Sequence, residues 1–596
     1  METNATFKPL ALVVASTFFM LGCMSGGDNT LSYKQPAHLH KGAIAQQGSE
    51  SEIVAEDKQH RHDNVAHITK PALTHAKPQP QSTTAHARHK ALKKRKINDS
   101  GLLSYSHTPH SKGLSQIRSA SVALDRERYH PFDENPVKQV TSQPVSTFSI
   151  DVDTGAYANV RRFLNRGDLP RENAVRVEEL INYFNYDYPQ PETEQPFSVT
   201  TELSTTPWNP NTLLLHVGVQ GKDIAKQALP PANLVFLVDV SGSMHSANKL
   251  ALLKTSLKLL SKQLRRQDNI SIVVYAGASG CVLAPTPGDQ TAAIGQALDQ
   301  LTAGGSTNGA AGIRLAYQMA QQGFVKGGIN RVILATDGDF NVGTTNFESL
   351  IDLVEKKRKG GISLTTLGFG MGNYNDRLME QIADAGNGNY AYIDTINEAQ
   401  KVLVDEMSST LKTIAKDVKI QIEFNPSSVA EYRLVGYENR LLKREDFNND
   451  KIDAGEIGAG HSVTALYELS LVGSKGNLYD PLRYGEDSRL QKSIKNNELA
   501  FLRLRYKKPH GDKSSLIEQA INRQTLQTDL AKTSDRFRFS ASVAAFGQQL
   551  RGADYLNDFD YKDILTLARH SRGKDPFGYR GEFVKLVNLA RSLSSK

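Results

Sequence analysis

Apolar runs and apolar stripes alternate through the middle of the chain. Leu234-Val-Phe-Leu-Val238 has no polar break. Such a run reads as a strand buried on both faces, as in a parallel sheet. Behind it, Leu250, Leu253, Leu257, Leu260 and Leu264 recur at steps of three and four. That spacing predicts a helix over 249–264 with one apolar face. The alternation continues as strands at 269–275 and 281–283, a helix at 308–319, a strand at 331–336, a helix at 348–357 and a strand at 362–370, and 399–414 closes the unit. The pattern predicts an α/β, doubly wound, Rossmann-like domain over 231–415. Cys281, on a predicted strand, is expected to be a buried, inert thiol.

On either side the period changes. Before the core, helical patterns at 157–164 and 177–184 are followed by strands at 197–203 and 213–219, with Pro207-Trp-Asn-Pro210 as a turn. After it, 418–424 alternates as a half-buried strand, and more strands follow at 432–435, 462–471 and 500–506. Strands from both sides are expected to join one β-sandwich, with the α/β domain inserted in it. This gives an N-terminal flanking domain at 145–230, a β-rich flank at 416–510 and a helical C-terminal region at 511–596. Asp151 and Asp153 read as strand-end residues. The acidic stretch 446–456 resembles a calcium loop, but Lys451 stands at the glycine position and Glu456 comes one residue early, so it reads as a turn.

Composition alters the picture mainly at the N-terminus. At 596 residues the chain is too long for a single core. The formal charge of +8 is uneven, and eleven of the sixteen histidines fall in the first 130 residues. Residues 23–144 carry few large apolar side chains and no sustained period, which predicts a disordered, basic, His-rich tether. Its basic run, 88–96, reads as a solvated linker, with contact to anionic lipid or cell-wall polymer as the alternative. Two cysteines leave no room for a disulfide framework. The apolar run at 10–22 has the length of a signal-peptide core rather than a membrane span. Leu21-Gly22-Cys23 at its end resembles a bacterial lipobox. The resemblance implies a signal peptide over 1–22 and lipid on Cys23, a stable anchor when several acyl chains share one residue. Met24 after the cysteine favours sorting to the outer membrane, by similarity to Gram-negative lipoproteins.

The candidate chemistry lies where the first core strand ends. Asp239-x-Ser241-x-Ser243 puts one carboxylate and two hydroxyls at the C-terminal edge of an open sheet, where ligands bind. An all-oxygen set suits a hard cation. Further oxygens are available from Thr307, in Gly304-Gly-Ser-Thr-Asn-Gly309 ahead of a helix, and from Asp337, in Thr336-Asp-Gly338 after a strand. Asp339 is expected at most behind these ligands. Gly368-Phe-Gly-Met-Gly372 lacks the third glycine of a dinucleotide fingerprint at the right step.

In this order the three elements resemble the metal-ion-dependent adhesion site (MIDAS) of von Willebrand factor type A (vWA) domains. The likeness extends to Phe148–Tyr186 and to Leu434-Val-Gly-Tyr-Glu-Asn-Arg440. Over 145–595 the chain therefore resembles the bacterial vWA domain-containing lipoprotein family. The resemblance implies that Ser241, Ser243 and Thr307 bind the ion directly and that Asp239 and Asp337 bind it directly or through water. One position would remain for a partner's carboxylate. Mg²⁺ is the expected ion, with Mn²⁺ and Ca²⁺ as the other candidates. The implied function is a lipid-anchored, divalent-metal-dependent protein-binding module for adhesion or assembly in the Gram-negative cell envelope. It would sit on the outer membrane facing the periplasm, bind a protein ligand presenting Asp or Glu, and have no nucleic-acid partner. Two alternatives stand beside this reading: a vWA scaffold that makes no ligand contact through the metal, and a metal-dependent hydrolase. The chain is not expected to be an enzyme, because it has no His-Glu-x-x-His and no Gly-x-Ser-x-Gly motif. His245, the histidine beside the loop, reads as a surface residue.

Overall fold

The computed structural model describes residues 126–192, 194–338, 347–480, 497–552 and 554–595. Cys23 with its lipobox, the basic run and Asp339 lie outside the described residues.

The α/β core is a six-stranded sheet in the order Tyr390–Ile393, Ser363–Phe369, Ile329–Thr336, Ala232–Asp239, Asn269–Tyr275, Ser279–Pro287. The first five strands are parallel and the last is antiparallel. The central strand shows why its run has no polar break. Leu234, Phe236 and Val238 pack into one core with Leu253, Leu257 and Leu260 of the helix Leu252–Ser261. Val235 and Leu237 pack into the core on the opposite face with Ile313, Ala316 and Tyr317 of Gly309–Gln322. Burial on both faces requires apolar residues at every position.

Strands from both sides of this domain form a β-sandwich. In one sheet Ser462–Leu471 pairs with Asn209–Gly221, which pairs with Phe197–Thr206. In the other, Thr413–Phe424 pairs with both Val145–Ser149 and Glu498–Lys507. The two sheets enclose one apolar core, so the α/β domain is an insertion into a sandwich. Helices Gly155–Asn165, Val177–Asn182, Asp535–Leu550, Tyr561–His570 and Tyr579–Ser594 share a fourth core, which holds Tyr157, Phe184, Phe546 and Phe583.

The structure departs from the sequence pattern in four places. Ser514–Asn522, placed in the helical region by the sequence, is a strand on Glu498–Lys507. Its Ile517 and Ile521 lie opposite Leu504 and Ala500, so period two prevails through pairing with a buried neighbour. Cys281 is exposed rather than buried, because Ser279–Pro287 is the outer edge strand and carries little cover. The helix expected from residue 249 begins at Leu252, after a π turn over Ala247–Ala251 that is kinked at Lys249 (φ −118°, ψ −106°). Residues 126–144, assigned to the tether by composition, pack on the body: Tyr129 and Val140 are buried, and Arg128 N donates to Tyr374 O at 2.9 Å.

The helix Gly155–Asn165 covers the edge of the core sheet. A Cβ on Gly155 would fall 2.2 Å from Cε1 of Tyr390, so this close approach needs glycine.

Candidate metal centre

Asp239 ends the central strand and is fully buried. Three internal donors fix its carboxylate. Ser241 N donates to Oδ1 at 2.9 Å, and Thr336 Oγ1 and the Tyr275 hydroxyl donate to Oδ2 at 2.8 and 3.2 Å. The last two come from the ends of the strands on either side, so the parallel register itself aims the group. Burial pushes the Asp239 carboxyl above its ordinary range. The nearby charge of Asp337 pushes the same way, and the bonds from Ser241 and Thr336 work against both.

The loop after Asp239 is tied to the loop before Gly309–Gln322. Gly242 N donates to Gly305 O at 3.0 Å and Gly304 N to Val240 O at 2.8 Å. These backbone bonds bring 239–243 and 301–308 together at the C-terminal edge of the sheet. The hydroxyls of Ser241 and Ser243 lie 3.0 Å apart. Ser241 is buried, while Ser243 and Thr307 are partly exposed. Asn308 caps the following helix, accepting from Ala311 N at 3.4 Å. His245 is exposed.

Asp337 directly follows the strand Ile329–Thr336 and is also fully buried. Its Oδ2 accepts from Lys249 Nζ at 2.8 Å and from Asn373 Nδ2 at 3.2 Å. Lys249 Nζ also donates to Asn373 Oδ1 at 3.0 Å. The sequence reading did not single out Lys249 or Asn373. A lysine ahead of a leucine stripe reads as a solvated charge, and only the kink at residue 249 turns it inward. Thr336 and Tyr275 end the strands that the sequence predicts, and their hydroxyls hold Asp239.

Of the five residues expected to hold an ion, the structure brings Asp239, Ser241, Ser243 and Asp337 to one patch and places Thr307 on the loop pinned beside them. Two carboxylates with converging hydroxyls form a donor set of the hard-cation kind. Among the described residues no three or more His, Cys, Asp or Glu gather so as to hold a metal ion. The acids here number two, and the remaining donors are hydroxyls.

A family model for the von Willebrand factor type A domain matches residues 233–406. A model described as von Willebrand factor matches 123–216, and one described as the C-terminal part of the uncharacterized protein YfbK matches 409–593. The chain is 52% identical over 470 residues to the uncharacterized protein YfbK of Escherichia coli (strain K12), covering 78% of this chain and 81% of that one. It is 25% identical over 272 residues to inter-alpha-trypsin inhibitor heavy chain H3 of Homo sapiens, covering 41% of this chain and 30% of that one. A solved von Willebrand factor type A structure from Catenulispora acidiphila aligns over 65% of this chain and 89% of its own, with 15% identity and a TM-score of 0.36. Proteins built on the type A domain are often interaction or adhesion modules.

Proposed function

Since the chain belongs to the family of YfbK, built on a von Willebrand factor type A domain, we propose that it is a divalent-metal-dependent protein-binding module held at the cell envelope by lipid on Cys23. Ser241, Ser243 and Thr307 would hold the ion directly. Asp239 and Asp337 would act directly or through water, and a partner's Asp or Glu would complete the shell. Mg²⁺ is the resident ion in this reading, with Mn²⁺ and Ca²⁺ as substitutes. The protein would face the periplasm from the outer membrane.

One observation supports the reading above the rest. Two loops that follow neighbouring strands and one that joins two helices are tied together at the C-terminal sheet edge, and they present oxygens rather than nitrogen or sulfur ligands. The chemistry supplied by a bound ion would be attraction of a carboxylate. The residues provide its seat: Tyr275 and Thr336 orient Asp239, and the Gly242–Gly305 bond fixes the spacing of the loops. Binding is favoured over hydrolysis because the Ser241 and Ser243 hydroxyls partner each other and the carboxylates of Asp239 and Asp337 are engaged by donors of the fold. A scaffold without ligand contact is the second reading. Its support is the ammonium of Lys249, already seated on Asp337.

Titration calorimetry of Mg²⁺, Mn²⁺ and Ca²⁺ into the detergent-solubilised full chain tests the proposal. One ion should bind per chain, and Asp239→Ala and Thr307→Ala should each weaken it by about 10–100-fold or more. A wild-type chain that takes up no ion would end the metal-dependent reading. Capture of partners with and without chelator then separates the module from the scaffold. Incorporation of labelled fatty acid, lost in Cys23→Ala, tests the anchor.

A further inference from the structure

We infer that Lys249 is a tethered cation of the site: it competes with the divalent ion for Asp337, and it leaves the ion-filled site with a net positive charge that selects a carboxylate ligand. This rests on the metal-dependent reading above and adds to it a residue and a charge rule.

The placement of Lys249 is built into the backbone. The chain departs from helical geometry at this one residue, which turns the side chain into the domain. Lys249 is only 6% exposed. Its stem runs over Gly370, at the end of the strand Ser363–Phe369. A Cβ on Gly370 would lie 2.3 Å from Cε and 2.4 Å from Cγ of the lysine, so the glycine leaves the channel that the stem fills. At its tip, Nζ, Asp337 Oδ2 and the Asn373 amide form a closed triangle of hydrogen bonds. A buried ammonium needs such partners, since an unpaired one is strongly disfavoured.

The charges then set the behaviour. Asp239 and Asp337 contribute two negative charges and Lys249 one positive, so the site is singly negative before an ion arrives. A divalent ion makes it singly positive. Without Lys249 the filled site would be neutral. The lysine therefore weakens the hold on the ion by like-charge repulsion, and it gives an incoming carboxylate a net charge to bind. It also neutralises Asp337 while no ion is present, which relieves the repulsion between two buried acids.

The test uses the full chain with Lys249→Met, which keeps the stem over Gly370 and removes the charge. Calorimetry with Mn²⁺ should show ion affinity rising on the order of tenfold. Titration of acetate into the Mn²⁺-loaded chains should show affinity falling several-fold in the variant. Lys249→Gln keeps a donor toward Asp337 and reads the charge alone if the Met variant does not fold. Ion affinity equal to or lower than wild type in the folded variant would overturn the competition and leave Lys249 a structural prop. Tighter ion binding with unchanged acetate binding would overturn the ligand-selecting half. If wild type and variants all take up no ion, the metal-dependent reading fails and the competition falls with it.

Discussion

Two clusters of buried charge lie in the same domain, joined by the segment from Asn373 to Asp376, and they are built differently. At the junction with the flanking segments, Arg440 reaches Asp151, Asp153, Glu380 and Asp384 at 3.2, 3.3, 3.1 and 2.7 Å. Arg176 pairs there with Glu179 and Asp376. Each guanidinium meets carboxylates from the N-terminal flank and from the helix Asp376–Ala385 of the inserted domain, and Asp153 also accepts from the backbone N–H of the sheet-edge residue Tyr390. At the sheet's C-terminal edge, Asp239 and Asp337 are equally buried, yet Ser243 and Thr307 beside them are partly exposed. The first cluster is closed by its own ion pairs and serves to join, although Asp384 at its rim is exposed. The second is open in that Ser243 and Thr307, beside its acids, are partly exposed. Burial and charge alone do not separate structural acids from functional ones; what separates them is whether their partners all belong to the fold.

The largest effect should come from opening the closed cluster. Arg440→Leu would leave Asp151, Asp153, Glu380 and Asp384 without that counter-ion. Breaking a buried pair from one side costs about 3–5 kcal/mol, so the melting temperature should drop sharply. Ion titration of whatever remains folded should match wild type, because Arg440 is not part of the oxygen patch. A variant with wild-type melting would show that the junction is not held by this network.

A smaller effect should appear as pH dependence. Glu178 is buried beside Glu438 and Asp151, and burial followed by those charges pushes its carboxyl up to about 8. Its folded value lies above its unfolded one, so the group's contribution to stability is fully present below about pH 4.5 and is lost as pH rises through 8. Glu178→Gln removes the titration and keeps the shape. The melting temperature should then decline less between pH 5 and 8 than in wild type. Superimposable profiles would mean that this acid does not carry the dependence.

The sequence made one of these clusters legible and hid the other for a single reason. Asp239, Ser241, Ser243 and Asp337 follow apolar runs that stop, and Thr307 lies in a glycine-rich stretch ahead of a helix, so each position carries a local mark. The sandwich insertion was legible in the same way, from alternation on both sides of the core. Arg440 with Asp151, and Lys249 with Asp337 and Asn373, are pairings between distant segments, and no local pattern marks them. Lys249 also carries a misleading cue, because a lysine ahead of a leucine stripe belongs on the solvent face of a helix. Cys281 misled in the same manner: a strand pattern does not say which strand lies at the edge.

The smallest effect on the fold, and the clearest sign of an open cluster, should come from Ser243→Ala. Ser243 is partly exposed, and its hydroxyl bonds to that of Ser241. Losing such a group should change stability by no more than about 0.5 kcal/mol. Its loss should nonetheless weaken ion binding by roughly tenfold, because a six-coordinate ion would have to replace that ligand with water. An affinity change much larger than the stability change is what an open site requires and what a closed network forbids. In Arg440→Leu the same two measurements should show the reverse order. If Ser243→Ala instead lowered the melting temperature and left ion binding intact, the hydroxyl pair would belong to the fold, and the patch at the sheet edge would be a second closed cluster.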